Sequence, residues 1–246
     1  MNKITIIGSG SVGSTIAYTA TVMGLASEIV MIDINEEKAL GEALDIRQGI
    51  PFCNPATVHA GSYQDAVDSD IVIITSGLPR KPGQTRLDLA QANVNIMKQI
   101  ATEIVKYAPK ATYVIVSNPV DILTYVFCKT TGIPEKRVIG SGTILDTSRL
   151  RARIAEYYSV NQKNVHAYIL GEHGDTAFVP WSIANISNVP VEDYRNAVMK
   201  SDMYPEFNRD EVEDYVRKSG GRVIQRKGAT FYAVSVSVCH LCKCLL

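Results

Sequence analysis

The stretch Ile4-Thr5-Ile6-Ile7-Gly8-Ser9-Gly10-Ser11-Val12-Gly13 leaves few folds open. A β-branched run stops on a G-x-G-x-x-G turn, and helical sequence runs from Thr15 to Met23 behind it, so the segment reads as strand, tight turn and helix. In such a turn the first glycine lets the bend close and the second lets a phosphate approach the backbone. The third lets helix and strand pack closely, with the helix N-terminus facing the phosphate charge. A plain structural turn can carry the same spacing, so the next strand matters. Ile29-Val30-Met31-Ile32 ends in Asp33, twenty residues beyond Gly13. An acid at that point accepts hydrogen bonds from an adenosine ribose diol and repels a 2′-phosphate, which favours NAD over NADP.

Further buried-type strands follow at Asp70 to Thr75, ending in Ser76-Gly77, and at Tyr113 to Val116, ending in Ser117-Asn118-Pro119. Small and polar residues at the carboxyl ends of parallel strands mark the edge where an open α/β sheet binds ligands. Between these strands Leu89, Asn93, Ile96, Ile100 and Ile104 recur at helical spacing, as a crossover helix requires. Val58-His59-Ala60 is expected to add an inner strand, with His59 structural.

Charge excludes some partners. The 25 basic side chains cancel the 25 acidic ones in 246 residues, and no block of like charge stands out, so neither nucleic acid nor an acidic membrane surface is indicated. No apolar run reaches the length of a membrane span, and Met1-Asn2-Lys3 runs straight into strand sequence rather than a signal peptide. Five cysteines, Cys53, Cys128, Cys239, Cys242 and Cys244, are an odd number without framework spacing, which fits a reducing cytoplasm. Cys239, His240, Cys242 and Cys244 crowd one helical stretch with no second ligand pair, so packing explains them better than a metal does. The partner is expected to be a small molecule.

Leu78 to Arg86 holds two prolines, a glycine and three cations, a poor helix and a poor strand, and is expected to be a loop of the kind that closes over ligand edges. From Gly140 the pattern changes. Leu145 to about Tyr158 is helical, with Asp146 and Arg149 on one face, and Val165 to Leu170 reads as a strand feeding Gly171-Glu172-His173-Gly174-Asp175. Glu206 to Lys218 is a charged helical stretch without evident chemistry. From Ala229 a helical stripe runs through Phe231, Val234, Val238, Leu241 and Leu245.

In this order, Gly8-x-Gly10-x-x-Gly13, Asp33, Lys81-Pro82-Gly83-x-x-Arg86, Asn118-Pro119, Asp146-x-x-Arg149 and Gly171-Glu172-His173-Gly174-Asp175 resemble the lactate/malate dehydrogenase family. The resemblance implies an α/β fold in which a Rossmann-type doubly wound parallel sheet, residues 1–140, is followed by an α+β substrate domain, residues 141–246. It implies NAD as cofactor and a 2-hydroxy or 2-oxo acid as substrate. Hydride transfer at C2 needs a proton-exchanging group near neutrality. The family pattern gives that role to His173, with Asp146 orienting its ring and Arg86 polarising the ketone from the closing loop. Arg149 would grip the carboxylate with its guanidinium fork. Asn118 would orient the substrate and Thr230 would line the pocket. The cofactor contacts implied are Gly8, Gly10, Ser11, Val12, Gly13, Asp33, Thr75, Gly77, Asn93 and Ser117.

The substrate is a choice between pyruvate and oxaloacetate. Arg80 faces the C3 end of the substrate in the family pattern, and an arginine closed over a methyl group lacks a counter-charge, which argues for malate chemistry. Thr143 to Thr147, Val165 to Tyr168 and Lys227 to Thr230 have the texture of the lactate enzymes, which are favoured here. Arg151 and His166 match the pair with which bacterial members bind fructose 1,6-bisphosphate, and a homotetramer is implied. Family members continue past the point corresponding to Leu246, so the substrate domain is expected to be incomplete. An inactive NAD-binding module is therefore an alternative, against which the intact set Arg86, Asp146, Arg149 and His173 argues.

Overall fold

The computed structural model describes residues 2–78, 86–198, 204 and 206–246; of Arg86 only the backbone is described. Arg80 and the Lys81-Pro82-Gly83 segment lie outside the described residues. The chain forms two compact units, residues 1–141 together with 231–246, and residues 142–230.

In the first unit the short apolar runs form parallel strands, and the amphipathic segments between them form the crossovers. In chain order these are β1 (Lys3–Ile7), α1 (Ser11–Met23), β2 (Glu28–Ile32), α2 (Glu36–Gly49), β3 (Thr57–Ala60) and β4 (Ile71–Ile74). They continue with α3 (Arg86–Tyr107), β5 (Thr112–Ile115), α4 (Val120–Thr131) and β6 (Val138–Gly140). The sheet order is β3-β2-β1-β4-β5-β6, all parallel, with Ile7 beside both Ile32 and Ile74 in register. This is the doubly wound order, and the reversal between β1 and β4 opens a crevice at their carboxyl ends. β3 is the edge strand, not the inner strand expected, because only β2 offers it a partner. His59 is held there by Glu28 at 3.2 Å and by the carbonyl of Ala60 at 3.1 Å.

Strands covered on both faces must be apolar at successive positions, and the buried positions of β2 and β4 are; in β1 the exception is buried Thr5, whose hydroxyl pairs with that of Ser69 at 2.7 Å. Ile4, Ile6, Ile29, Met31, Ile71 and Ile73 pack with Ile16, Ala17 and Ala20 of α1 on one side. Ile7, Val30, Ile32, Val72 and Ile74 pack with Met97, Ile100 and Ile104 of α3 and Leu123 and Phe127 of α4 on the other.

The second unit begins with α5 (Ile144–Tyr157) and continues with β7 (Val165–His166), β8 (Asn185–Ile186), β9 (Val189–Pro190), α6 (Tyr194–Ala197) and α7 (Arg209–Lys227). The strands form a small antiparallel sheet, β7-β8-β9. The expected strand from Val165 to Leu170 is ladder-paired only over β7; beyond it, Leu170 forms an isolated bridge with Phe178. Leu150, Ile154 and Tyr158 pack against Val212 and Val216 of α7 in a separate core.

The last helix, α8 (Tyr232–Leu245), falls within the residues 141–246 expected to form the substrate domain. It lies against α1 in the first unit, where Val238, Cys239 and Cys242 join the core of that face. Cys239 and Cys242 sit in packing positions while Cys244 is exposed, and among the described residues no group of three or more potential metal ligands occurs.

Candidate active site

In the first unit, the glycine turn is a cradle that side chains would fill. Gly8 sits at φ +104°, and a Cβ there would lie 2.8 Å from the backbone nitrogen of Ser76. A Cβ on Gly13 would lie 1.8 Å from the carbonyl oxygen of Gly8, so the α1 backbone can pass this close to β1 only at glycine. Gly10 is different. Nothing lies within 4 Å of where its Cβ would be, which leaves open space against bare backbone.

The start of α1 is equally telling. Its cap, Gly10, offers no side-chain acceptor, and the first turn holds no acid. By contrast α2 is capped by Asn35, whose side chain accepts from the amide of Lys38, and carries Glu36 and Glu37 in its first turn. The amides and positive dipole end of α1 are thus left to an external anion. Ser11 and Val12 lie in this turn, and the hydroxyl of buried Ser9 has no protein partner. These features fit the pyrophosphate of a dinucleotide.

Asp33 stands at the end of β2, half-buried, and accepts from the amide of Ser9 at 2.6 Å and of Asn35 at 2.9 Å. It ties the glycine turn to the loop that follows β2, at the carboxyl edge of the sheet. Around the other strand ends, the hydroxyl of Thr75 donates to the carbonyl of Gly8 at 2.9 Å, and that of Ser117 to the carbonyl of Ser76 at 2.6 Å. The buried side chain of Asn93 accepts from the amide of Leu78 at 2.8 Å and donates to the carbonyl of Asn118 at 2.8 Å. A Cβ on Gly77 would approach the same amide group at 3.4 Å. Asn118 is exposed. Thr75, Asn93 and Ser117 therefore join three loops through their side chains and shape the sheet edge.

In the second unit, Asp146 lies in the first turn of α5 with its side chain 13% exposed. Its Oδ2 meets Nδ1 of His173 at 2.5 Å, and its Oδ1 accepts from Nη1 of Arg149 at 2.9 Å. One carboxylate thus holds the ring and the guanidinium together. Burial pushes the Asp146 carboxyl up, but the hydrogen bonds and charges of His173 and Arg149 outweigh it and hold the group below the usual carboxylate range. An ionised carboxylate only accepts, so the proton on this side of the ring is assigned to Nδ1.

Two threonines fix this geometry and were not singled out from the sequence. Thr143 donates to the carbonyl of Ile169 at 2.6 Å, and Thr147 accepts from the amide of Ile169 at 2.9 Å. They clamp the segment leading to His173 onto the start of α5, on either side of Asp146. The signal in the sequence was the i, i+4 pair flanking that acid. The loop holding His173 is closed by reciprocal backbone bonds between Leu170 and Phe178, both 3.0 Å, with Gly171 at φ +93° where it leaves the bridge. Arg151 is half-buried on α5 and His166 exposed on β7, two elements in contact, and Thr230 is half-buried after the end of α7. The side chain of Arg86, at the start of α3, lies outside the described residues.

Comparison with known proteins agrees with both halves of this description. Residues 2–140 match the lactate/malate dehydrogenase NAD binding domain, and residues 143–246 match the lactate/malate dehydrogenase alpha/beta C-terminal domain. The L-lactate dehydrogenase of Thermoanaerobacter sp. (strain X514) is 48% identical over 238 residues, which is 97% of this chain and 76% of that protein. That of Thermoanaerobacterium saccharolyticum is 46% identical over 246 residues, 100% of this chain and 78% of the relative. Among solved structures, the minor L-lactate dehydrogenase of Enterococcus mundtii, crystallised with ligands bound, superposes with a TM-score of 0.92 at 39% identity, covering 98% of this chain and 76% of that one. The malate dehydrogenase of Picrophilus torridus, in its apo form, superposes at 0.88 with 33% identity, covering 98% and 75%. With both of its units matched and its glycine turn, Asp33 and His173–Asp146–Arg149 cluster in place, the chain belongs to the lactate/malate dehydrogenase family.

Proposed function

We propose that this protein is an NAD-dependent L-lactate dehydrogenase that interconverts pyruvate and L-lactate. The observation that carries the reading is the Asp146 carboxylate, with an imidazole on one oxygen and a guanidinium on the other. Relatives at 46–48% identity bearing that name support it.

The uncapped start of α1, the glycine turn and Asp33 would hold the dinucleotide. When bound, NADH supplies a hydride to C2 of the 2-oxo acid, and NAD⁺ accepts it in the reverse direction. The chain's own residues do the rest. His173, with Nδ1 engaged by Asp146, exchanges a proton with the substrate oxygen at Nε2, and Asp146 stabilises the imidazolium. Arg149 grips the carboxylate, and Arg86 polarises the ketone as negative charge grows on its oxygen. Asn118 orients the substrate and Thr230 lines its pocket.

A second reading rests on Arg80, whose charge suits the additional carboxylate of oxaloacetate. NADH-dependent reduction of pyruvate and of oxaloacetate, measured side by side, separates the two. Faster pyruvate turnover supports the lactate reading. Faster oxaloacetate turnover that Arg80→Gln reverses would replace it with malate dehydrogenase.

The reading extends to a cytoplasmic homotetramer activated by fructose 1,6-bisphosphate through Arg151 and His166, a guanidinium and an imidazole that can both donate hydrogen bonds to a phosphate. Among the described residues no helix is long and apolar enough to cross a membrane. Equal responses of wild type and Arg151→Gln to the sugar bisphosphate would refute the activator site. A mass measurement in solution tests the tetramer.

A further inference from the structure

Two successive glycines, Gly220 and Gly221, interrupt α7, where either is a poor helix former. Their surroundings differ. Nothing lies within 4 Å of where the Cβ of Gly221 would be, whereas a Cβ on Gly220 would lie 3.4 Å from Nη2, 3.8 Å from Nη1 and 3.9 Å from Cζ of Arg149. The guanidinium covers the place where a side chain would begin.

The register of the two helices explains why. Val212 and Val216 are the buried residues of α7, and Gly220 is the next position on that stripe. On α5, Arg149 and Arg153 follow each other at the same spacing. Arg153 meets α7 through Glu211 at 2.7 Å and lies over the ring of Tyr215. Arg149 reaches α7 one turn further along, where the apolar stripe gives way to glycine. Its Nη1 is fixed by Asp146 at 2.9 Å, so its planar head is held by a carboxylate on one side and lies on bare helix on the other.

We propose that Gly220 is a positioning residue: the missing side chain is the seat of the Arg149 guanidinium, and through it sets the grip on the substrate carboxylate. This rests on the reading that Arg149 binds that carboxylate. An alanine Cβ at 3.4 Å is in ordinary contact and displaces the head little. A valine adds two carbons to that Cβ and displaces it. Gly221→Val makes the same change of helix propensity toward open space and is the matched control.

The experiment measures pyruvate kcat and KM at saturating NADH, with far-UV circular dichroism and NADH affinity as checks of folding. Gly220→Val is expected to raise KM about tenfold or more, with kcat within about threefold of wild type, because uniform binding is what it removes. Gly220→Ala is expected to raise KM about two- to fourfold, and Gly221→Val and Gly221→Ala to leave it unchanged. The proposal is overturned if folded Gly220→Val keeps the wild-type KM, or if the Gly221 variants raise it equally. If Gly220→Val does not fold, the alanine pair decides, and indistinguishable KM values overturn it. Wild-type turnover of neither pyruvate nor oxaloacetate would instead refute the functional reading itself.

Discussion

Asp146 and His173 meet across 27 residues of chain through a 2.5 Å contact between Oδ2 and Nδ1, while the other oxygen of the same carboxylate holds Arg149. Asp146→Asn presents an amide where the ring and the guanidinium both need an acceptor. Pyruvate kcat/KM is expected to fall by a factor on the order of 10²–10⁴, as it is for His173→Gln. The double variant should be little worse than either single one, because the residues act as a unit. Additive losses in steady-state kinetics would show that the pair does not work together.

The same carboxylate makes stability depend on pH. Its folded-state pKa is held below the ordinary 3.8, so the unfolded chain binds the proton more tightly than the native one. The stabilisation is present above about pH 3.8 and is lost as pH falls through the lower native value. Asp146→Asn should therefore lose less stability than wild type on acidification below about pH 4. Parallel curves in denaturant titrations across that range would contradict the assignment.

The glycine turn separates packing from ligand approach. Gly13→Ala drives a Cβ to 1.8 Å from the carbonyl oxygen of Gly8 and should destabilise the first unit by at least about 1–3 kcal/mol. Gly10→Ala meets nothing within 4 Å, so the melting temperature should hold. Its methyl group stands in the open space proposed for the pyrophosphate, and the NADH dissociation constant should rise on the order of tenfold. Scanning calorimetry and a fluorescence titration on both variants test the contrast, and unchanged NADH affinity in Gly10→Ala would remove the phosphate from this turn.

Burial pushes the thiols of Cys239 and Cys242 up to about 12, while Cys244, nearby on the same helix, is exposed. A thiol reagent at neutral pH should modify Cys244 quickly and Cys239 and Cys242 only on unfolding, since the thiolate is the reactive species. Peptide mapping after timed alkylation reads this directly. Fast modification of Cys239 in native protein would mean that α8 leaves α1 readily.

What the sequence revealed was the chemistry that neighbours in the chain declare. The glycine spacing, Asp33 at a strand end and Asp146 three residues before Arg149 each depend on local geometry, and each is found where its pattern put it. Relations between distant segments that no family pattern records were not legible. A stripe of apolar residues from Phe231 onward says that a helix will be covered, but not that α1 will cover it. Gly220 gave no sign of Arg149, 71 residues away, because an empty position takes its meaning only from what fills it. β7 stops after His166 because β8 offers a partner for only two residues, a limit no propensity encodes.

The docking of α8 on α1 sets an order in time. The six strands are all present once Gly140 has been made, yet Ile16, Ala17 and Ala20 share their core with Val238, Cys239 and Cys242. About a hundred residues separate these events, roughly 5 to 20 seconds of synthesis at 5–20 residues per second. Throughout that interval the nascent nucleotide-binding unit shows an apolar stripe, and the whole of the second unit emerges before the helix that hides it. A chaperone that recognises exposed aliphatic surface would have its longest opportunity on this protein there, and moving the α8 sequence to directly follow Ser141 would close it.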